Sequence, residues 1–366
     1  MTSNDNTHPD NPAGKPGTPE HSEIIVIDSE TGESMHSAEV IAHRGASGYR
    51  PEHTLASYEL AIRMCADVIE PDVVSTKDHV LVVRHENEIS GTTDVAAHPE
   101  FGDRRTTKSI DGRSVTGWFT EDFTLAELRT LRAIERLPQL RPDNTGFDGQ
   151  YAIPTLAEVL ELARRSRSCT GHQVGVAPET KHPSYFASIG LPLEARLVAE
   201  LDQAGLTEKG SPVIIQSFET GNLQQLDTMT DVKLIQLIDR TGAPWDLTVA
   251  GDPRTYADLS TKAGLRTIAT YAEAVGFCKD VMIPWAADGR LLTPTSAIAD
   301  AHAARLQVIG WTFRRENTFL PLQFRSSTKP REIGDLRGEL RAFLDAGMDG
   351  FFTDNPDLGV AAVSAS

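Results

Sequence analysis

The segment IAHRGASGYRPEHTLASYELAI, residues 41–62, sets an imidazole and a guanidinium side by side, His43 and Arg44, where an apolar strand gives way to a glycine-rich turn. Comparable pairings recur downstream: Glu70 and Asp72 in IEPD, His85 and Glu86 in VVRHE, Glu179 and Lys181 in PETK. Glu70 and Asp72 are alternate residues, so on a strand they point to one side. Two carboxylates held together repel unless a proton or a cation lies between them. A hard divalent ion, Ca²⁺ or Mg²⁺, takes oxygen ligands of this kind, and Glu179 is placed as a third. The competing reading is a pair of solvated acids, and Pro71 between them interrupts any ladder locally. Histidine titrates near neutrality, so His43 and His85 could divide acid and base duties in a displacement at phosphorus. Alternatively, each is a hydrogen-bonded core histidine. Arg44 offers a planar fork to a phosphate and Lys181 a point charge. Both could at the same time form ion pairs with the neighbouring acids.

Something must bring these groups together. Eight apolar runs read as strands: AEVIAH, DVIEPDVV, QVGVAPET, SPVIIQSF, KLIQLID, DVMIPW, QVIGWTF and MDGFFTDN. Helical patterns separate them, among them HTLASYELAIRMC, TLAEVLELARRS, YAEAVGFCKD and IGDLRGELRAFLDAG. HVLVVRH is an accessory strand. Such alternation predicts parallel strands joined by crossovers, and eight of them close a (β/α)8 TIM barrel. An open dinucleotide-binding sheet lacks its G-x-G-x-x-G after the first strand. The rhythm breaks after the second strand, over residues 91–150, which read as an insertion. One short helix is expected there at 124–131, with Thr124 as N-cap and Glu127 closing a capping box. In a barrel of this kind functional residues sit at the C-terminal ends of the strands. Those ends carry His43-Arg44, Glu70-x-Asp72, His85-Glu86, Glu179-x-Lys181, Gln216-Ser217, Trp311 and Asp354.

Composition narrows the function classes. The 366 residues carry a net charge of −17, with 39% hydrophobic and 24% charged residues. Such an acidic balance disfavours nucleic acid, whose phosphates need cations in number, but leaves room for a local phosphate site. No G-x-S-x-G or phosphate-binding P-loop appears. Residues 1–37 read as a disordered or weakly ordered tail, with 24–35 as a short strand and turn at most. The barrel is expected over 38–366. The start lacks the basic and apolar regions of a Sec-type leader, and no run is long enough for a membrane span. Cys65, Cys169 and Cys278 are far apart and odd in number, so reduced thiols in a cytoplasm are expected. Oligomeric state is not legible.

The quoted motifs, with QSF, GWTF and GMDGFFTDNPDL, resemble the glycerophosphodiester phosphodiesterase family over residues 38–360. The resemblance implies a TIM barrel that hydrolyses glycerophosphodiesters, such as glycerophosphocholine or glycerophosphoethanolamine, to glycerol 3-phosphate and an alcohol. It implies His43 and His85 as the catalytic pair, and Glu70, Asp72 and Glu179 as ligands of one divalent metal, Ca²⁺ or Mg²⁺. Arg44 and Lys181 would contact phosphate, Glu52 would support the site, and Trp311 would lie near the glycerol. Two positions depart from the family pattern: His79, where a glycine is usual, and Glu86, where an aspartate is usual. Neither removes a group expected to react. Two other readings remain. One is a phospholipase acting on intact lipid, with Trp118 and Phe119 of the insertion facing the bilayer. The other is a barrel that binds a phosphoester without cleaving it.

Overall fold

Thirteen strands run along the computed structural model, which describes residues 38–364. The expected tail at 1–37, including the strand and turn at 24–35, lies outside the described residues. In chain order the strands are β1 (Glu39–His43), β2 (Val68–Glu70), β3 (Asp72–Ser75), β4 (Leu81–Val83), β5 (Thr106–Ile110), β6 (Arg113–Gly117) and β7 (Gly175–Val176), then β8 (Glu179–Thr180), β9 (Ile214–Ser217), β10 (Lys233–Ile238), β11 (Ala274–Cys278), β12 (Gln307–Phe313) and β13 (Gly350–Thr353).

Eleven of them form one sheet, ordered β4-β3-β8-β9-β10-β11-β12-β13-β1-β2-β7. Pro71 splits one stave into β2 and β3, and Pro178 splits the next into β7 and β8, since neither proline can donate to a ladder. The two halves pair side by side, β2 with β7 and β3 with β8, both parallel. Rejoining the halves closes a ring of eight parallel staves, the TIM barrel expected from the alternation. β4 adds as an antiparallel neighbour of β3.

The period of two decides what each stave buries. Ile41, Val68, Ile214, Ile235, Leu237, Ile309 and Phe352 share an apolar cluster inside the barrel. Their neighbours Val40, Ala42, Ile69, Val73 and Val308 pack in a second cluster with the helices outside. The helices begin where capping residues stand. Thr54 caps the helix Leu55–Arg63. Thr124 with Glu127, and Thr155 with Glu158, form complete capping boxes before Leu125–Leu128 and Leu156–Arg165. Each box satisfies two of the backbone groups left open at a helix start.

Four expectations need correction. The sixth stave is AVGFC, within the run read as a helix, while the short helix Lys279–Met282 takes up the first three residues of the expected strand DVMIPW. AVGFC is flanked by β10 and β12 and is buried almost throughout, so tertiary pairing overrides its helical pattern. Cys65 and Cys169 are not free thiols but a disulfide. It ties the loop after Leu55–Arg63 to the loop after Leu156–Arg165, at the end of the barrel opposite the C-terminal strand ends. The insertion also holds a β-hairpin, β5–β6. Its two-residue turn is Asp111-Gly112 with φ of 45° and 73°, the Asp-Gly signature of a type I′ turn. Finally, Trp118 and Phe119 are buried, with Trp118 Nε1 donating to the Phe101 carbonyl, so they do not form a lipid-facing rim. No helix among the described residues is long and apolar enough to cross a membrane.

Candidate active site

Parallel register lines up the polar strand ends. His43 stands opposite Glu70, Asp72 opposite Glu179, and Glu179 opposite Gln216. The barrel therefore gathers residues from four staves at one level.

The chain reverses sharply after β1. Gly45 has a φ of 82°, and a Cβ there would fall 2.7 Å from the Ser57 backbone, so only glycine fits. Arg44 and His53 also adopt left-handed φ, 60° and 55°, at a cost on the order of 1–3 kcal/mol each. This conformation aims the Arg44 N–H at Glu70 Oε2, 2.7 Å away, and His53 N–H at the Arg44 carbonyl, 3.1 Å away.

Glu70, Asp72 and Glu179 are all buried, with carboxylate oxygens within 4.8 Å of one another. Burial, then the charges of Asp72 and Glu179, pushes the Glu70 carboxyl well above its ordinary range. Burial, against the attraction of Lys181, raises Glu179 to about 8. Asp72 is held well below its usual value despite burial, chiefly by Lys181 and the His53 hydrogen bond. Asp72 Oδ1 is buried without a hydrogen-bond partner. Three converging carboxylates, one with an orphaned oxygen, fit a hard divalent cation. Lys181 Nζ lies 2.6 Å from Glu179 Oε1 and 3.9 Å from Asp72 Oδ1, the ion pairing weighed from the sequence.

Both imidazoles line one cavity of about 340 Å³ with Arg44, Glu70, Glu179, Lys181 and Trp311. His43 Nδ1 sits 2.6 Å from Asp354 Oδ1, and His85 Nδ1 meets Glu86 Oε2. Burial and the Arg44 charge lower His43 to about 4, against the pull of Asp354. Burial, then Arg44 and Lys181, also lowers His85. Each carboxylate behind a histidine is in turn held by an arginine of the insertion. Arg141 Nη2 donates to Asp354 Oδ2 at 2.6 Å, and Arg136 Nη1 pairs with Glu86 Oε1 at 2.8 Å. Glu52 accepts from Arg136 at 2.6 and 2.7 Å and from Arg44 at 3.0 Å, which joins the two sides. Trp311 donates to the Gly276 carbonyl at 2.8 Å and meets Phe218 edge-on at 5.6 Å, forming an aromatic wall.

All nine residues singled out from the sequence thus lie in one neighbourhood. Others went unassigned. His53 Nε2 lies 2.8 Å from Asp72 Oδ2, and its Nδ1 lies 2.8 Å from the Tyr58 hydroxyl. Gln216 Nε2 reaches Glu70 Oε1 at 3.3 Å. Asp354 and Gln216 carried a signal, their place at strand ends. Arg136 and Arg141 carried none, because nothing local shows where an irregular insertion returns to the barrel.

Known proteins share this arrangement of sequence and fold. The Glycerophosphoryl diester phosphodiesterase family matches residues 43–358. The chain is similar to glycerophosphodiester phosphodiesterase GDPD6 of Arabidopsis thaliana, 37% identical over 331 residues covering 86% of this chain and 82% of that one. It is also similar to a glycerophosphodiester phosphodiesterase of Haemophilus influenzae, 30% identical over 348 residues covering 88% of each. In fold it matches an Oleispira antarctica phosphodiesterase solved with the product sn-glycerol-3-phosphate, with a TM-score of 0.56, 19% identity and coverage of 89% and 96%.

Proposed function

From its membership of the glycerophosphodiester phosphodiesterase family, to which this chain belongs, we propose that it hydrolyses small glycerophosphodiesters such as glycerophosphocholine to glycerol 3-phosphate and an alcohol, by metal-dependent His/His catalysis. Phosphodiesterase activity itself follows from the family. The observation that supports the finer reading is the convergence of both imidazoles, two cations, Glu70 and Glu179 on one cavity, with Asp72 clustered beside the two acids. A product complex with sn-glycerol-3-phosphate in the Oleispira antarctica phosphodiesterase favours the same substrate class.

In this reading Glu70, Asp72 and Glu179 hold one divalent ion, Ca²⁺ or Mg²⁺. When bound it would supply electrostatic stabilisation of charge developing on the phosphoryl oxygens. Arg44 and Lys181 neutralise the diester and fix its orientation. Because Asp354 and Glu86 occupy the two Nδ1 atoms, the Nε2 atoms of His43 and His85 are the positions left to work on substrate. One takes a proton from the attacking oxygen, and the other returns a proton to the departing alcohol. The attacking oxygen is either the neighbouring glycerol hydroxyl, which gives a cyclic phosphate, or water. A cyclic product trapped in His85→Ala separates the two. The Trp311 wall receives the glycerol, and Glu52 keeps Arg44 and Arg136 in place.

The catalytic unit is residues 38–366, preceded by a tail. The Cys65–Cys169 disulfide favours folding in an oxidising compartment over the cytoplasm expected from the sequence. The test is release of glycerol 3-phosphate from glycerophosphocholine, followed with a coupled dehydrogenase, with and without EDTA and in His43→Ala. Release that both EDTA and the substitution abolish is expected. No release with Ca²⁺ or Mg²⁺ supplied would overturn the reading.

A further inference from the structure

A phosphodiester has two arms, and the cavity around the acidic triad has two lobes. One lobe runs from His43 toward Trp285, Trp311 and Phe319. A second, of about 620 Å³, runs the other way, beneath the β5–β6 hairpin. The two share Glu179, Lys181 and Phe218, so they meet where the phosphate is expected. With glycerol against Trp311, the second lobe is left for the other ester substituent.

The walls of the second lobe have a distinct chemistry. Phe218, Trp245 and Tyr256 supply aromatic faces, and Asp111, Glu219 and Asp239 supply carboxylates. Phe218 and Tyr256 stand edge to face at 6.1 Å. Asp111 Oδ1 is buried without a hydrogen-bond partner, while its Oδ2 lies 2.6 Å from His182 Nδ1. Among the described residues, the Asp239 side chain accepts a hydrogen bond only from the adjacent Arg240 N–H, at 2.6 Å. Burial and then the charges of Asp239, Asp246 and Glu219 push the Tyr256 hydroxyl upward. Burial, then Asp246 and Asp111, raises Glu219 to about 8. Arg113, and Lys181 where the two lobes meet, are the permanent cations of this lobe, and its acidic side chains outnumber them. The hairpin is fixed over this lobe by close contact. A Cβ on Gly112 would fall 2.6 Å from the Trp245 ring, so the type I′ turn rests on the indole.

We propose that the lobe between the β5–β6 hairpin and the Asp239–Tyr256 segment binds the leaving alcohol and selects a cationic headgroup, such as choline, over a neutral one. Aromatic faces attract a quaternary ammonium, and Asp239, whose side chain accepts only the adjacent Arg240 N–H among the described residues, supplies the long-range attraction. This inference rests on the phosphodiesterase reading above and adds the basis of headgroup choice.

The test compares kcat/KM for three diesters of glycerol 3-phosphate: the choline ester, the glycerol ester and the methyl ester, whose alcohol is too small to reach the lobe. The wild type is expected to favour the choline ester over the glycerol ester by about tenfold or more, the size of one well-placed cation–aromatic contact. In Asp239→Asn and in Trp245→Leu that ratio is expected to fall toward one, mainly through KM. Equal turnover of the choline and glycerol esters by the wild type overturns the proposal. So does a ratio unchanged in both variants. Failure to cleave any of the three, the methyl ester included, overturns the phosphodiesterase reading itself and the headgroup site with it.

Discussion

His43 Nδ1 and Asp354 Oδ1 lie 2.6 Å apart, although 311 residues separate them in the chain. β1 and β13 are neighbouring staves, with Ala42 opposite Thr353. Closing the barrel therefore brings the first strand end against the last. Asp354 also receives Arg141 at 2.6 Å and Arg314 at 2.8 Å, so the carboxylate cannot swing away from the imidazole.

Asp354→Asn should lower kcat by about 10²–10⁴ with little change in KM, because the histidine loses its orienting carboxylate. Asp354 acts through His43 and is a positioning residue. The pH–rate profile should move with it, since the charge that favours the His43 imidazolium is gone. Steady-state kinetics from pH 5 to 9, on protein shown folded by circular dichroism, would check this. An unchanged kcat would remove Asp354 from the mechanism.

The acidic triad should make the metal-free protein less stable than it could be. Glu70→Gln removes one of three clustered buried carboxylates, the one that burial and the charges of Asp72 and Glu179 push upward, and leaves the Lys181–Glu179 ion pair intact. It is expected to raise the melting temperature in EDTA and to abolish the further rise on adding Ca²⁺ or Mg²⁺. In the wild type, saturation to a hundredfold over Kd should contribute about 2.7 kcal/mol. Thermal melts with and without each ion measure both effects.

His53 touches Asp72 rather than the cavity, so His53→Ala should weaken metal affinity by about 10–100-fold. The expected readout is a rightward shift in the metal dependence of the melting temperature, with activity recovered at high metal. Loss of activity that excess metal does not restore would count against this role.

Glu200 lies on the helix Glu194–Gln203, with Oε2 buried and unpaired. Burial, opposed by Arg196, raises its carboxyl to about 7. A folded-state value above the unfolded one (about 4.3 for glutamate) means that the folded form binds the proton more tightly. Stability is then lost as pH rises from that value through about 7. Glu200→Gln should therefore raise the melting temperature at pH 8 and change it little at pH 4. The reverse pattern would show that the carboxylate is stabilising.

Reducing Cys65–Cys169 opens a loop with a sequence separation of 104. For a loop of about 100 residues the chain-entropy contribution is about 4.7 kcal/mol. The Cys65→Ser, Cys169→Ser double variant should unfold at clearly lower urea. Its kcat on folded protein should be retained, because the bond lies at the opposite end of the barrel from the site. Thiol titration of the denatured, unreduced wild type should find Cys278 alone.

What could be read directly from the residues was what depends on near neighbours. A period of two decides which face Glu70 and Asp72 share. Alternation of strand and helix decides that the staves run parallel, and parallel staves leave their polar C-terminal ends together. Eight of the nine site residues stand at strand ends and follow from that rule, while Glu52 follows only from the resemblance of PEHT to the family motif; the capping boxes at Thr124 and Thr155 follow from local spacing. Asp111-Gly112 was equally local, a hairpin signal within a segment read only as an insertion. The rest depends on contacts between distant parts of the chain. AVGFC has a pattern that suits a buried helix or strand alike, and only β10 and β12 on either side decide between them. Arg136 and Arg141 come from irregular backbone, where no periodicity shows that their guanidinium groups return behind His85 and His43. Cys65 and Cys169 become partners only because helices of similar length carry both loops to the same end of the barrel. The chemistry could be read locally, but the charges that hold each imidazole in place were decided by closure of the ring.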